Sequence, residues 1–289
     1  MNFGYDLDYE GKGEILQITA QPHAGEREIT FDGKRKLISA EHYKTFPSSY
    51  VITRHGALDH KVALTFDDGP DPVWTPQILD ALAAAQVPAA FFIIGANGGL
   101  HPELLRRIVR EGHEIGIHTF THPNIAVISD TQFQMELSAT QRLLASAVGR
   151  QSLLFRPPYA VDAEPETPDQ VRPIELASGL GYLTVGMQID PDDWQRPGVD
   201  EIVRRTLAAA QTGEGNVILL HDAGGDRSQT VAALPKLIAA LRQQGFEFVP
   251  VAQLLGQTRE EEMPLVPAAD IWEVMTDWIN CAAFGLLNL

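Results

Sequence analysis

The chain has 289 residues, which is enough for one complete α/β domain with its own buried core. It carries 38 acidic and 22 basic residues, for a formal net charge of −16. This charge argues against nucleic acid as a partner, because binding to phosphates depends on Lys and Arg replacing counterions. Cys281 is the single cysteine, which excludes a disulfide framework and a cysteine-rich metal site.

The first 60 residues differ in pattern from the rest of the chain. Residues 14–20 (EILQITA) and 28–31 (EITF) predict a short β-hairpin joined through Pro22, His23 and Gly25. A polar, irregular stretch then continues to His60. We expect residues 1–60 to form an N-terminal extension of the main domain, without chemistry of its own.

From Lys61 onward, short β-rich apolar runs alternate with helical stretches. The apolar runs lie at residues 62–66, 89–94, 114–118, 152–155, 183–187, 217–220 and 246–249. Helices are predicted at residues 75–85, 102–111, 131–148, 173–180, 200–211 and 230–244, the first with Thr75 as its N-cap. This alternation predicts a parallel sheet with right-handed crossovers. The spacing fits both a seven-stranded barrel and an open doubly wound sheet.

Five of these apolar runs lead into unusual polar residues. The polar sequences are DDGP (67–70), HTFTH (118–122), RPPY (156–159), DPDDW (190–194) and HD (221–222). Because the carboxyl ends of parallel strands meet at one edge of a sheet or barrel, the five groups should converge there. The sequence therefore predicts one site built from carboxylates, imidazoles and a guanidinium.

Within this set, two histidines and an aspartate have the character of metal ligands. Adjacent carboxylates at Asp67 and Asp68 repel each other, and a nearby cation relieves that cost. His118 and His122 have the i, i+4 spacing that is frequent in zinc sites, although this spacing is weak evidence alone. Two histidines and one carboxylate leave a coordination position open, which is typical of a catalytic zinc site.

The five motifs together resemble those of the polysaccharide deacetylases, carbohydrate esterase family 4, also called the NodB homology domain. The matching sequences are TFDDGP (65–70), HTFTH (118–122), RPPY (156–159), DPDDW (190–194) and LLHD (219–222). The resemblance covers residues 61–256 and implies an α/β fold, a distorted (β/α)7-type parallel barrel, here with an N-terminal β-hairpin extension. It also implies a hydrolase that removes acetyl groups from N-acetylated sugars.

The resemblance assigns roles at the metal. Asp68, His118 and His122 would bind a divalent metal, with Zn²⁺ expected and Co²⁺, Ni²⁺ or Mn²⁺ as alternatives. Asp67 would be the general base that activates a water molecule. Arg156 would pair with Asp67 and fix its side chain.

It also assigns the acid and the substrate contacts. His221 would be the general acid, oriented by Asp193, and the backbone N–H of Tyr159 would help to hold the oxyanion. Three further residues would bind the substrate: Trp194, Leu219 and Pro157.

Substrate and context are expectations of the same kind. The expected partner is a polymer that contains N-acetylglucosamine, such as a chitin-, peptidoglycan- or poly-GlcNAc-like chain. The alternatives are an O-acetyl esterase acting on xylan and a carbohydrate-binding domain that has lost catalysis. The intact motif residues argue against the second alternative.

The flanks suggest a larger bacterial protein. Residues before Lys61 resemble the end of a family-18 glycoside-hydrolase-like domain, which in some proteins precedes a deacetylase and a family-2 glycosyltransferase. Residues 257–289 are predicted to form a linker and an apolar helix, and the apolar stretch 271–289 suggests proximity to a membrane. No signal peptide is evident, so an extracytoplasmic or membrane-associated location is expected through the larger chain.

Overall fold

The computed structural model describes residues 8–23, 25–45, 48–160 and 168–266. The strands in this part of the chain are β1 (Asp8–Gly11), β2 (Ile15–His23), β3 (Glu26–Phe31), β4 (Ile38–Thr45), β5 (Ser48–His55), β6 (Lys61–Asp67), β7 (Ala89–Ile93), β8 (Glu114–Ile117), β9 (Leu154–Phe155), β10 (Leu183–Val185), β11 (Val217–His221) and β12 (Glu247–Phe248). The helices are α1 (Trp74–Ala85), α2 (Gly95–Leu100), α3 (Pro102–Arg110), α4 (Asp130–Val148), α5 (Pro168–Gly179), α6 (Val199–Thr212), α7 (Ser228–Gln243), α8 (Val251–Leu254) and α9 (Arg259–Glu262).

A curled parallel sheet forms the centre of the fold. The order β10-β9-β8-β7-β6-β11 is parallel throughout, and β12 pairs with the start of β6. Ile189, beyond β10, forms a parallel bridge to Ile218 in β11 and so spans the remaining gap. The predicted distorted barrel is therefore confirmed in a curled form that closes through a single bridge.

Alternation along the strands separates two layers of side chains. In β6, Val62, Leu64 and Phe66 pack in the large core between sheet and helices. Ala63 belongs to the smaller apolar cluster enclosed by the curled sheet. Because strand side chains alternate, Thr65 and Asp67 point to the same side as Ala63. The last inward position of β6 thus falls at the rim, where the chain leaves the sheet.

The N-terminal strands pair differently from the prediction. Strand β2 pairs with β5 and with β10, both antiparallel, and β5 also carries β1. The hairpin in this region is β3–β4, a separate two-stranded sheet. The proposed pairing of residues 14–20 with 28–31 is therefore wrong, because β2 finds its backbone partners in the main sheet.

Glu14 connects the N-terminal extension to the barrel at its least regular point. Its carboxylate accepts hydrogen bonds from the backbone N–H groups of Gln188 (3.0 Å), Asn216 (3.2 Å) and Val217 (2.7 Å). These residues lie on both sides of the gap between β10 and β11. Burial raises the pKa of Glu14 to about 7, against the lowering effect of these bonds. The extension therefore contributes a polar group that fills the gap, and is more than the decoration that its sequence suggested.

Residues 257–266 pack on the barrel at the end opposite the strand carboxyl termini. Helix α9 begins with a capping box between Thr258 and Glu261, and Met263 is fully buried. No helix among the described residues is long and apolar enough to cross a membrane. The apolar stretch 271–289 lies outside the described residues, so its predicted helix and membrane proximity stay predictions, as do the domain boundaries 1–60, 61–256 and 257–289.

Candidate active site

The polar residues that follow five strands meet at the carboxyl rim of the curled sheet. His221 in β11 is directly opposite Asp67 in β6 in the parallel register. Arg156 follows β9, and its side chain returns under the rim to reach Asp67. Asp193 lies in the 3₁₀ turn Asp193–Gln195 and bonds to His221. The convergence expected from the strand-end pattern is present.

Asp68, His118 and His122 form a compact group with one free ligand atom each. The Asp68 Oδ1 atom lies 3.7 Å from His118 Nε2 and 3.4 Å from His122 Nε2. All three ligand atoms lie within 4.8 Å of one another, and this is the one His/Cys/Asp/Glu group of its kind in the described part of the chain. Two ligands of a tetrahedral zinc ion, each at about 2.1 Å, are roughly 3.4 Å apart. The donor set and its spacing therefore fit such a metal.

A hydrogen bond at Nδ1 orients the ring of His118 so that Nε2 can bind a metal. Its Nδ1 lies 2.7 Å from the carbonyl oxygen of Arg156, to which a protonated Nδ1 donates. That tautomer leaves the Nε2 lone pair facing Asp68. Burial lowers the pKa of His118 to about 3, so the imidazole is neutral at pH 7.

The charge balance of the site also favours a cation. Asp67 and Asp68 are adjacent carboxylates, and Arg156 supplies one buried positive charge against them. His118 is neutral for the reason given above. A divalent cation beside Asp68 would offset the remaining negative charge, which argues that the group is a metal site and not a chance cluster.

Arg156 fixes Asp67 from inside the barrel. Its guanidinium is fully buried and donates to Asp67 Oδ1 (2.7 Å), to the Thr65 hydroxyl (2.8 Å) and to the carbonyl oxygens of Val185 and Gly186. Burial raises the pKa of Asp67, and the charge of Arg156 opposes that rise. The other carboxylate oxygen of Asp67 lies 3.8 Å from His118 Nε2, so it is directed at the metal group.

His221 and Asp193 form a second charged pair on the other side of Asp67. His221 Nδ1 lies 2.7 Å from Asp193 Oδ1. The other carboxylate oxygen, Asp193 Oδ2, accepts hydrogen bonds from the backbone N–H of His221 and from the Thr230 hydroxyl. Burial lowers the pKa of His221, but the bond and charge of Asp193 and the charges of Asp67 and Asp68 raise it to about 9. The imidazole is therefore held protonated at neutral pH.

The four remaining predicted residues also lie at or near the rim. Tyr159 is exposed, and its ring packs edge-on against His122 at 4.8 Å between centroids. Trp194 is half exposed beside Asp193, as expected for a side chain that lines a substrate groove. Pro157 and Leu219 are buried, and Leu219 shares the inward face of β11 with His221. Their contacts with substrate stay predictions.

Left-handed backbone conformations concentrate in the loops that carry the site. Asp68, Thr119, His122 and Tyr159 all have φ between 59° and 76°. Such conformations are unfavourable for residues with a Cβ and persist only where surrounding structure enforces them. Motif spacing gives no indication of this strain.

Glu136 supports a loop of the site and was not predicted from the sequence. It is fully buried on α4, and its carboxylate accepts from the N–H groups of Phe120 (2.8 Å) and Thr121 (2.7 Å) and from the Thr121 hydroxyl (2.7 Å). Thr140, one turn later, donates to the carbonyl oxygen of Thr119. Helix α4 thus fixes the loop between the two histidines of the candidate metal group. The available indication was a single Glu on a helix face that is apolar apart from Thr140.

Two more buried polar groups support the rim. Asp222 accepts from the Thr75 hydroxyl (2.5 Å). Thr75 is not the N-cap predicted for α1, because the helix begins at Trp74 with Val73 as its N-cap. Burial raises the pKa of Asp222 to about 7. Arg227 donates to the carbonyl oxygens of Trp194 (3.3 Å), Ala223 (2.6 Å) and Gly224 (3.0 Å). It therefore ties the Trp194 turn to the loop that follows His221.

We expect Glu136→Gln to weaken metal binding by about tenfold, because the loss of one acceptor oxygen leaves a buried N–H or hydroxyl of the loop without a partner. Zn²⁺ affinity would be measured by competition with a chromogenic chelator, alongside urea unfolding of the metal-free protein. Glu103→Gln, the same change at an exposed position on α3, is the control. Lower stability with an unchanged Zn²⁺ affinity would show that Glu136 supports the fold and not the metal site.

Comparison with known proteins agrees with this geometry. A family model described as polysaccharide deacetylase matches residues 55–182. The chain is 40% identical over 213 residues to a peptidoglycan-N-acetylglucosamine deacetylase of Bacillus cereus, over 72% of this chain and 94% of that protein. It is 40% identical over 207 residues to a chitooligosaccharide deacetylase of Sinorhizobium fredii, over 68% of this chain and 92% of that protein. A crystal structure of a peptidoglycan N-acetylglucosamine deacetylase superposes with a TM-score of 0.64 at 32% identity, over 71% of this chain and 92% of that one. The chain therefore belongs to the polysaccharide deacetylase family, carbohydrate esterase family 4.

Proposed function

We propose that this protein is a metal-dependent hydrolase that removes N-acetyl groups from a polysaccharide containing N-acetylglucosamine. One observation carries the proposal: the Asp68, His118 and His122 group lies beside a buried carboxylate and a protonated imidazole on the same rim. Relatives that are 40% identical act on peptidoglycan and on chitooligosaccharides, as their names state. Both substrates contain N-acetylated amino sugars.

Asp67 is the general base in this proposal. Arg156 holds one of its oxygens, and the other oxygen faces the metal group, where an attacking water molecule would lie. The carboxylate can accept a proton from that water as the water oxygen adds to the acetyl carbonyl carbon. The carbonyl oxygen then carries negative charge, which the backbone N–H of Tyr159 would help to hold.

His221 is the general acid. The nitrogen of the scissile amide is a poor leaving group unless it receives a proton, and a protonated His221 can donate one from Nε2 while Asp193 holds Nδ1. The C–N bond then breaks and gives acetate and a free amine. The side chains of Asp67 and His221, adjacent in register, divide the two proton transfers between them.

A divalent cation, Zn²⁺ in the first instance, would be held by Asp68, His118 and His122. When bound, it supplies Lewis-acid polarisation of the carbonyl and lowers the pKa of water in the site. The mixed nitrogen and oxygen donors also suit Co²⁺, Ni²⁺ and Mn²⁺.

The substrate class follows from charge and from the exposed aromatic residue. A chain with a net charge of −16 is better suited to a neutral sugar polymer than to an anionic one. Trp194 offers a flat surface on which a sugar ring can stack. The O-acetyl esterase remains the second candidate, because the same residues can hydrolyse an ester. Peptidoglycan and chitin lie outside the cytoplasmic membrane, and the proposal places the activity there.

The test is acetate release from N-acetylglucosamine oligomers and from acetylated xylan, measured side by side. We expect release from the oligomers, its loss with a chelator and its recovery on addition of Zn²⁺. Activity that survives removal of the metal would contradict metal dependence. Release from xylan alone would identify an esterase, and release from neither substrate would favour the binding domain.

A further inference from the structure

The β3–β4 hairpin projects from the domain. Among the described strands, β3 and β4 pair with each other and with nothing else. Most of their described side chains are exposed on both faces of the ribbon. The hairpin therefore adds little to the core and is available for contact with another surface.

The basic side chains along the body of the hairpin are paired with carboxylates of the hairpin itself. Arg27 pairs with Glu41 at 2.5 Å across the two strands. Lys44 pairs with Glu28 at 2.8 Å and with Glu26 at 3.3 Å. The body thus has three carboxylates against two cations and no excess of positive charge, so this part of the ribbon has little attraction for an anionic partner.

The tip of the hairpin, residues 31–38 (FDGKRKLI), is different. Lys34, Arg35 and Lys36 are consecutive, exposed and form no ion pair with a described residue. The apolar side chains around them are also exposed: Phe31 by 60%, Leu37 by 61% and Ile38 by 56%. The tip thus combines unpaired positive charge with large apolar side chains, in a chain whose net charge is −16.

The turn at the tip is well defined by backbone bonds. Asp32 N–H donates to the Leu37 carbonyl (2.8 Å), and Lys36 N–H donates to the Asp32 carbonyl (3.0 Å). The Asp32 carboxylate, the one acidic group of the tip, accepts from Lys34 N–H at 2.8 Å. The turn therefore presents its side chains in a fixed arrangement, which reduces the entropy lost on binding.

Lysines on an exposed hairpin can also serve to prevent edge-to-edge aggregation. That role explains cations, but it does not explain why three large apolar side chains are exposed next to them. Binding to a membrane surface would explain both the cations and the exposed apolar side chains. The apolar side chains would enter the boundary of the acyl chains, while Lys and Arg would contact the anionic headgroups. We propose that the tip of the β3–β4 hairpin binds the surface of a bilayer that contains anionic phospholipids.

The proposal is tested with vesicles and the full-length chain. Sedimentation with phosphatidylglycerol/phosphatidylcholine vesicles and with pure phosphatidylcholine vesicles, at about 0.15 M salt, would give partition coefficients. The triple variant K34Q/R35Q/K36Q should lower partitioning into anionic vesicles by at least about 30-fold, since each basic residue contributes about fivefold. Leu37→Ser should lower it by about five- to tenfold. Leu265→Ser is the matched control, because Leu265 is 72% exposed and does not belong to the hairpin. This substitution should change the partition coefficient little.

Every variant retains residues 267–289, so the differences between variants report on the tip alone. Circular dichroism and acetate release from soluble oligomers would confirm that each variant is folded. Equal partitioning of all variants, or equal binding to neutral vesicles, would overturn the proposal. So would binding to an anionic glycopolymer that depends on the three cations but not on Leu37, or association of the chain with itself through the tip.

Discussion

Asp67→Asn should lower kcat for acetate release by about 10³-fold while leaving Zn²⁺ affinity within about threefold of the unchanged protein. Asparagine keeps the size of Asp67 and one oxygen to accept from Arg156, but it cannot take a proton from water. Because Asp67 is directed at the metal group without belonging to its three ligands, the metal should remain bound. kcat, KM and Zn²⁺ affinity together check this expectation.

Asp68→Asn, the same substitution one residue later, is the control. It should lose Zn²⁺ affinity and activity together, and added Zn²⁺ should restore part of the activity. Asp67→Asn should not recover at any Zn²⁺ concentration. If Asp67→Asn retains more than about a tenth of kcat, or if the two variants lose metal equally, Asp67 is not the base.

Asp67→Asn should also destabilise the protein, because Arg156 is fully buried and loses its anionic partner. Breaking a buried ion pair from one side costs about 3 kcal/mol. Thr65 and the carbonyl oxygens of Val185 and Gly186 continue to accept from the guanidinium, which limits the loss. Activity is therefore measured at a temperature well below the unfolding midpoint of the variant, so that loss of folded protein is not counted as loss of catalysis.

The main-domain strands were predictable because each is a short apolar run, and five of the seven runs are followed by polar residues. The run at residues 217–220 is an example. All four residues are apolar, so the pattern does not show which side chains face which side of the sheet, but polar residues mark both limits of the run, Asn216 before it and His221 after it. The convergence of the five motifs followed from the same parallel topology. Local composition and one topological rule therefore predicted the parallel sheet and the convergence of the polar residues, whereas the barrel form and the individual residue roles came from the resemblance to the family.

The N-terminal pairing could not be predicted in the same way. Strand β2 has the alternation expected of any half-buried strand, and nothing local states that its partners are β5 and β10. The nearer run at β3 was the simplest partner by loop length, but it pairs with β4. Pairing over long sequence separation is decided by which edge of the main sheet is open, and that is a property of the whole fold.

The supporting residues of the site were missed for a related reason. Glu136 and Arg227 act through backbone groups that are distant in sequence or hidden in loops, so no spacing motif marks them. Asp222 belongs to the LLHD motif, but nothing in the motif indicates that its partner is the Thr75 hydroxyl, which is distant in sequence. What sequence offers is only a polar residue on an apolar helical face or beside a strand end. The candidate metal ligands and the proposed base could be predicted because metal chemistry restricts residue type strictly, whereas many residue types can hold a loop.

Asp193→Asn should move the alkaline limb of the pH profile of kcat/KM to lower pH. A general acid works only when protonated, so activity falls as pH rises through the pKa of His221. That pKa is about 9, because the bond and charge of Asp193 and the charges of Asp67 and Asp68 outweigh the lowering effect of burial. A bound divalent cation would offset the contribution of Asp68 and bring the limb somewhat below 9. Without the Asp193 charge, the lowering effect of burial on the pKa of His221 dominates, so we expect the alkaline limb below pH 7. Activity at pH 8 should then be about 10²–10³-fold lower.

The same pair should affect stability in a defined pH window. A histidine whose folded pKa is raised stabilises the protein fully below its unfolded pKa of about 6.5. This contribution is lost as pH rises through the folded value of about 9. The difference in unfolding free energy between the unchanged protein and Asp193→Asn should therefore be largest near pH 6 and shrink toward pH 9. Urea unfolding at both pH values measures it.

An activated aryl acetate separates the acid from the rest of the site. Its phenolate departs without a proton, so hydrolysis of this ester should not depend on His221, whereas amide hydrolysis should. Asp193→Asn and His221→Ala should each lower aryl acetate hydrolysis by less than about tenfold, against 10²–10³-fold for the N-acetyl substrate. Asp67→Asn should impair both substrates alike, because both need an activated water molecule. If Asp193→Asn reduces the two reactions equally, Asp193 and His221 support the shape of the site and do not supply the proton.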